Sequence, residues 1–534
     1  MELKEEQTSN WSLTDRTRLN TADIYFKNQE YLFARSIYDS LYKKHKSNIY
    51  IGYLLGTCNT YDSRYQQISE SLIKSAEPAK SKLLDYDYYL GRAYLVNGKY
   101  NEAILQFEKY KLNQLNKDTK DEVDHQISIC KNAIDLENKS AVAKTTNIGA
   151  PVNTSGSEYT PVFPSNESFM VFTYRGTRSM GGKQILPNKT DEKNGIYFED
   201  IMISSKDDQE KWSEPKPIST INTNGHDAAV HISHDGQKLF LYRNVGIGSG
   251  DIYVSKLDGS NWGIPEKVKG INSNFWEGSV CLSPDEKTIY FSSDRQGGLG
   301  GRDIYFAQLM PDGSWGNVKN LGPEINTKYN EDAPFIHSDG KTLFFASTGH
   351  NTIGGYDIFR SEFKQGKWTT PYNVGKPVNT TQDDKFYVVS SDGERGYYSS
   401  EKKDGFGQQD IYIVEPGLFG KPTSLVQVIG NVKYDNAPVK ATIFVRSKLN
   451  KKDFSGTFHS NSITGGYLVN LPSGNEYEIV YKYLNTTLIK AISTAKIDSF
   501  ARIEIDAELF SDEYQRLNYA AIDSSAFKSD DMIS

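Results

Sequence analysis

The sequence predicts a multidomain chain, α then all-β: a helical solenoid, a five-bladed β-propeller and a small β-sandwich, in that order. Three observations carry the prediction. Large and small residues recur with a period of about 34 over the first 140 residues, and a strand motif recurs about every 50 residues between 150 and 415. A third pattern, short strands punctuated by Gly and Pro, fills 424–506. Repeats at such periods mark supersecondary units that bury their apolar faces only against their neighbours.

Residues 14–140 form the solenoid. One unit reads Leu90-Gly91, Tyr94, Tyr100, Ala103, Phe107; Leu55-Gly56 with Ile68 and Leu72, and Ala22 with Tyr25, Tyr31, Ala34 and Tyr38, hold the same register one and two periods earlier. The small residues let antiparallel helices approach and the aromatics fill the groove between them. This spacing resembles the tetratricopeptide repeat; a plain helical bundle is the alternative. Val123, Ile127, Cys130 and Ile134, at helical spacing in the stretch 121–138, predict a capping helix, and three repeats plus a cap bury a continuous core.

Residues 145–417 carry two markers in phase. The first is Asp251-Ile252-Tyr253, Asp303-Ile304-Tyr305, Asp357-Ile358-Phe359 and Asp410-Ile411-Tyr412, with a degenerate Asp200-Ile201-Met202 before them. The second is Val152-Asn153-Thr154, Ile221-Asn222-Thr223, Ile271-Asn272-Ser273, Ile325-Asn326-Thr327 and Val378-Asn379-Thr380. Between them lie polar turns such as Ser338-Asp339-Gly340, aromatic strands such as Leu343-Phe344-Phe345, and Gly-rich hairpins such as Gly297-Gly298-Leu299-Gly300-Gly301. Four short strands per unit, five times over, is a propeller pattern. After Asp410-Ile411-Tyr412 the expected outer strand is missing, and its counterpart Asn147-Ile148-Gly149 precedes the first unit. The segment near 145–150 is therefore expected to close the ring. A longer first unit places an exposed, mobile loop at 178–194.

The stretch 424–506 opens with Val426, Val428, Gly430 and Val432 and continues through Ile443-Phe444-Val445, Tyr467 to Pro472 and Tyr477 to Val480, which predicts a sandwich of about seven strands. Residues 507–534 read as tail or linker.

Composition narrows function. The formal net charge of −7, from 61 basic and 68 acidic residues, lacks the basic bias of a nucleic-acid binder. Cys58, Cys130 and Cys281 are odd in number and far apart, so they suggest buried thiols rather than a disulfide framework or metal site. No run of apolar residues reaches the ~18 of a membrane helix. No nucleophile elbow, Walker A loop or zinc-protease motif appears, which predicts no catalytic residues, no cofactor and no enzyme.

Candidate sites follow from the repeat register. His226, His231 and His234 with Asp227 and Asp235 resemble a metal cluster, but His231 aligns with Cys281, Phe335 and Val388, core positions of an inner strand, and no metal is expected. Glu158, Asp227, Glu277, Glu331 and Asp384 occupy one equivalent position in all five units, just before the first strand, which in a propeller lines the central channel. Two readings stand: an acidic ring at the channel mouth that binds a cation or a basic segment, or five carboxylates that cap turns through backbone N–H groups. Tyr25, Tyr50, Tyr53, Tyr61, Tyr86 and Tyr88 exceed what groove packing needs and are expected to line a concave partner surface. Trp212, Trp262, Trp315 and Trp368 recur in phase and are structural.

The order of parts, with the signature Ser293-Asp294-Arg295 through Gly297-Gly298 and Gly300-Gly301 to Asp303-Ile304-Tyr305 in the propeller, resembles the Bacteroidota OmpA-family, PorE-like periplasmic proteins of the type IX secretion and gliding machinery. The resemblance spans about 20–506 and implies a TolB/WD40-like propeller and a carboxypeptidase-regulatory-like, transthyretin-like sandwich. It also implies a non-enzymatic periplasmic scaffold, associated with the outer membrane, whose partner is a PorP/SprF-like outer-membrane protein. In that family an OmpA-like peptidoglycan-binding domain follows the sandwich; none is seen here, so peptidoglycan is expected as a partner only if such a domain is missing from the chain. The rival expectation is a propeller that binds a small ligand, peptide or glycan.

Overall fold

The computed structural model describes residues 2–137, 139, 142–183, 197–244, 250–420, 424–448 and 455–511. Of the predicted loop at 178–194, the part from 184 onward lies outside the described residues, as does the tail from 512.

The N-terminal region is helical. After α1 (Glu2–Thr8), the pairs α2 (Leu13–Lys27) with α3 (Tyr31–Lys44), α4 (Ile49–Asn59) with α5 (Gln66–Lys74), and α6 (Tyr86–Val96) with α7 (Tyr100–Leu112) stack in succession, and α8 (Lys117–Glu137) closes the stack. The small residues act as their spacing implies. A Cβ on Gly56 would stand 2.9 Å from Leu72 and Ile73, and one on Gly91 would stand 2.9 Å from the Phe107 ring. Helix α1 lies ahead of the boundary expected at residue 14. It belongs to the domain because Leu3 is buried and the Gln7 side-chain oxygen accepts the Ile49 N–H at the start of α4 (2.7 Å), a donor with no partner inside its own helix.

Residues 144–415 form five antiparallel sheets of the same up-and-down order, a propeller-like arrangement. Sheet I holds strands 157–162, 169–175, 199–205 and 216–217; sheet II 226–232, 238–244, 251–258 and 266–267; sheet III 277–282, 288–293, 303–309 and 315–320. Sheet IV holds 331–336, 342–347, 357–364 and 372–373, and sheet V 384–389, 396–400, 410–415 and 144–147. The first strands touch in a closed cycle, I to II to III to IV to V and back to I. Closure is as expected: Lys144–Asn147 pairs antiparallel with Asp410–Glu415, Asn147 opposite Tyr412, although those segments lie more than 260 residues apart.

The two sequence markers turn out to be partners. Each Asn of the second marker clasps the backbone of the Ile in the preceding sheet's first marker. Ile304 N–H donates to the Asn326 side-chain oxygen (2.8 Å) while the Asn326 amide donates to the Ile304 carbonyl (2.9 Å). Asn222 does the same to Ile201, Asn272 to Ile252, Asn379 to Ile358, and Asn153 to Ile411 across the closure. The Asp of the first marker secures its Gly-rich hairpin: Asp303 accepts N–H bonds from Leu299 (2.5 Å) and Gly300 (3.1 Å), and Asp410 accepts them from Phe406 (2.5 Å) and Gly407 (3.1 Å). Sheet-to-sheet contact is therefore written into backbone polar groups as well as into the aromatic core.

The C-terminal region pairs strand 425–434 with 466–472, and strand 442–447 with 455–459 and 476–483, the last continuing into 486–493. Val426, Val428, Ile443, Val445, Leu471 and Ile479 form its buried core. The expected boundary at 506 falls short here. Ala507 and Leu509 are buried and strand 507–509 pairs in parallel with Val432–Tyr434, because alternate apolar side chains complete the core that strand 501–504 leaves open.

Helices and sandwich dock on opposite ends of the propeller's inner strands. On one end, Glu401 accepts from the Ser63 N–H (3.0 Å), the Asn132 amide donates to the Thr352 carbonyl (2.9 Å), Lys376 reaches Tyr100 and Glu137 (both 2.9 Å), His125 stacks on Tyr329 (ring centroids 4.0 Å apart), and Ile353 enters the helical core. On the other end, the buried Asn470 amide reaches the hydroxyls of Ser165 (2.7 Å), Ser338 (3.1 Å) and Ser391 (3.4 Å), which belong to the turns of sheets I, IV and V.

Candidate functional site

The five equivalent carboxylates are buried, each with no exposed surface. Each accepts two bonds from the Thr or Ser four residues before it, the last residue of the second marker. Glu331 takes the Thr327 N–H (2.8 Å) and hydroxyl (2.7 Å), and Glu158, Asp227, Glu277 and Asp384 repeat this with Thr154, Thr223, Ser273 and Thr380. That hydroxyl in turn accepts an N–H two residues on, at Gly156, Gly225, Phe275, Tyr329 and Gln382. These are the bonds of the turn-capping reading. The open acidic ring is corrected accordingly: the oxygens face their own turns rather than a shared ligand, and among the described residues no three His, Cys, Asp or Glu side chains form a group that could hold a metal.

Charge compensation differs between sheets. Arg243 donates to Asp227 (2.5 Å) and Arg295 to Glu277 (3.0 Å). Burial pushes Glu158 and Asp384 up to about 7 and raises Glu331, against the lowering effect of their hydrogen bonds.

The histidines disperse. His226 Nδ1 meets Glu199 (3.0 Å); His231 Nε2 accepts the Leu282 N–H (3.2 Å); His234 Nδ1 meets the Ser165 hydroxyl (3.1 Å). Burial pushes His231 down to about 3 and His234 down to about 4. The tyrosine expectation divides. Tyr25, Tyr53 and Tyr86 are buried between helices, so they fill the helical core and are not surface. Tyr50, Tyr61 and Tyr88 are half-buried; Tyr61 stacks on Tyr31 (3.9 Å), with the Arg92 guanidinium 4.2 Å from its ring. Cys58, Cys130 and Cys281 are buried free thiols.

One residue beyond the caps the structure assembles a collar that the repeat register does not mark. Tyr159 of sheet I donates its hydroxyl to Glu199, which also meets His226 of sheet II. Tyr242 of sheet II lies 6.4 Å from Trp276 of sheet III, and the Arg302 guanidinium lies over Trp276 at 3.8 Å. Arg302 reaches Asp332 of sheet IV (3.5 Å), which accepts from the hydroxyls of Ser279 (2.8 Å) and Ser292 (2.7 Å) of sheet III. Lys385 of sheet V sits over Tyr356 of sheet IV (4.6 Å) and Phe386 (5.2 Å), and Phe386 returns to Tyr159 at 6.2 Å. All five sheets contribute to the collar, and Phe386 carries it to the lining of the axis. Its carboxylate Glu199 is held ionised: burial alone would raise it, but the bonds from His226 and Tyr159 and the charge of Arg175 outweigh burial and keep it below the ordinary carboxylate value. Trp276 owes its place to Gly278, where a Cβ would stand 1.7 Å from the indole ring.

Below the collar the axis narrows between Val162, Val230, Val280, Phe335 and Val388. It ends at Ser165, Ser338 and Ser391, where Asn470 closes it.

No protein-family model and no curated protein matches the chain. Solved structures similar to it include TolB from Agrobacterium tumefaciens, 15% identical, with 62% of this chain and 98% of that chain covered at a TM-score of 0.31. TolB from Acinetobacter baumannii is 14% identical, with 55% and 57% covered at 0.27. The periplasmic gluconolactonase PpgL from Pseudomonas aeruginosa is 10% identical, with 63% and 88% covered at 0.28. At such values these similarities carry no argument about activity. Among the described residues no helix is long and apolar enough to cross a membrane.

Proposed function

We propose that the chain is a non-enzymatic periplasmic scaffold: tetratricopeptide-like repeats, a five-bladed TolB-like propeller and a carboxypeptidase-regulatory-like, transthyretin-like sandwich acting as one binding platform. The observation that supports this reading is the double docking of the propeller. Helices meet it through Glu401, Thr352, Lys376 and Tyr329, and the sandwich meets its opposite end through Asn470. Such contacts fix three surfaces in one orientation, as an adaptor needs and a flexible string of domains does not supply.

By its resemblance to PorE-like proteins, the partner is a PorP/SprF-like outer-membrane protein and the location is the periplasmic side of the outer membrane. Affinity capture of the full chain from detergent-solubilised native membranes tests this. The reading expects one outer-membrane barrel protein recovered in near-stoichiometric amount; recovery without any such protein contradicts it.

A further inference from the structure

The collar combines features that capping and packing do not require. Three cations approach it from different sheets: Arg175 from I, Arg302 from III and Lys385 from V. Arg175 stands opposite Glu199 in the strand register and acts on Tyr159 and Glu199 through space. The Arg302 guanidinium rests on Trp276, and the Lys385 ammonium rests on Tyr356 and Phe386 rather than on a carboxylate. Arg302 also pairs with Asp332 (3.5 Å), whereas Lys385, held over two aromatic faces, keeps its N–H donors available to an incoming anion. The nearby acids are already engaged. Glu199 is bonded by Tyr159 and His226, Asp332 by Ser279, Ser292 and the Ala333 N–H, and Asp383 by the Tyr356 N–H. The collar side chains are accessible: Glu199, His226 and Arg302 expose 19%, 23% and 35% of their surface.

We propose that the collar binds the carboxylated terminal sugar of an acidic glycan. Lys385, with Arg175, supplies the carboxylate site, while the partly exposed Glu199 and His226 and the Tyr159 hydroxyl present acceptors and donors suited to ring hydroxyls. Trp276, Tyr356 and Phe386 supply the apolar wall that a sugar ring packs against. The blind axis selects a terminal group. Val162, Val230, Val280, Phe335 and Val388 narrow it, and Asn470 closes it against Ser165, Ser338 and Ser391, so an extended polymer cannot thread through. This site is independent of the scaffold reading, since neither docking surface contributes a residue to it.

A glycan array carrying matched pairs with and without a terminal hexuronic or sialic acid, together with acidic peptides bearing a free C-terminal carboxylate, tests the assignment on the full chain. The expected result is retention of acid-terminated glycans over their neutral counterparts by at least about tenfold, the worth of one charge-assisted contact. Lys385→Gln and the double variant Arg175→Gln/Lys385→Gln are expected to lose that retention with an unchanged melting temperature. Equal retention of neutral glycans, retention of the peptides alone, no retention of any acidic glycan, or retention unaffected by Lys385→Gln would each overturn it.

Discussion

Glu158, Asp227, Glu277, Glu331 and Asp384 and the residues that directly follow them, Tyr159, Ala228, Gly278, Asp332 and Lys385, are one peptide bond apart and differ in every other respect. The first set is acidic throughout, buried, and bonded to Thr or Ser of its own turn. The second set varies from Tyr to Gly, and where it carries polar side chains they make contacts between sheets: Asp332 to Ser279, Lys385 over Tyr356. Repetition marks what every sheet needs in order to fold. Departure from repetition marks what the ring as a whole can present to a ligand.

That contrast can be broken at its strongest point first. Glu277→Ala removes a fully buried cap and leaves Arg295 without its carboxylate, so a loss of about 3–5 kcal/mol is expected, read as a lower urea midpoint of the propeller transition. A loss below 1 kcal/mol, the scale of a surface pair, would return the caps to the list of ligand groups.

The pH dependence sharpens the same point with a smaller effect. Glu158 titrates near 7 in the folded chain against an ordinary 4.5, so its stabilising contribution is complete at low pH and is lost as pH rises through about 7. Glu158→Gln stays uncharged. Its melting temperature is expected to match the parent at pH 4, below the unfolded carboxyl's range, and to exceed it by at least about 2–4 °C at pH 8.5, roughly what 1 kcal/mol moves in a domain of this size. Equal melting at both values would show that the carboxylate is hydrated as an open ring would be.

Much of this architecture is legible in the sequence. Both repeat periods, the closing role of the segment near 147 and the structural place of His231 followed from register alone. The inter-sheet clasp was half-visible: Asn326 and Ile304 each recurred, but a hydrogen bond between two periodic markers cannot be read from periodicity. Tyr25, Tyr53 and Tyr86 misled because an amphipathic side chain packs in a core as readily as it lines a groove, and only neighbouring helices decide between the two. Strand 507–509 was hidden by its shortness, with two apolar residues carrying the signal. The collar was hidden for a deeper reason. Its members sit at three register positions, directly before the marker Asp (Glu199, Arg302, Tyr356), directly before the cap (His226, Trp276) and directly after it (Tyr159, Asp332, Lys385), but the residue type changes from sheet to sheet, so a search for recurring residues passes over them.

The most direct measurement compares the urea midpoints of Glu277→Ala and Lys385→Gln under identical conditions. The account predicts a fall of about 3–5 kcal/mol for the cap and a change within about 0.5 kcal/mol for the collar lysine. Equal losses, or a larger loss at Lys385, would contradict the division of labour between the two positions.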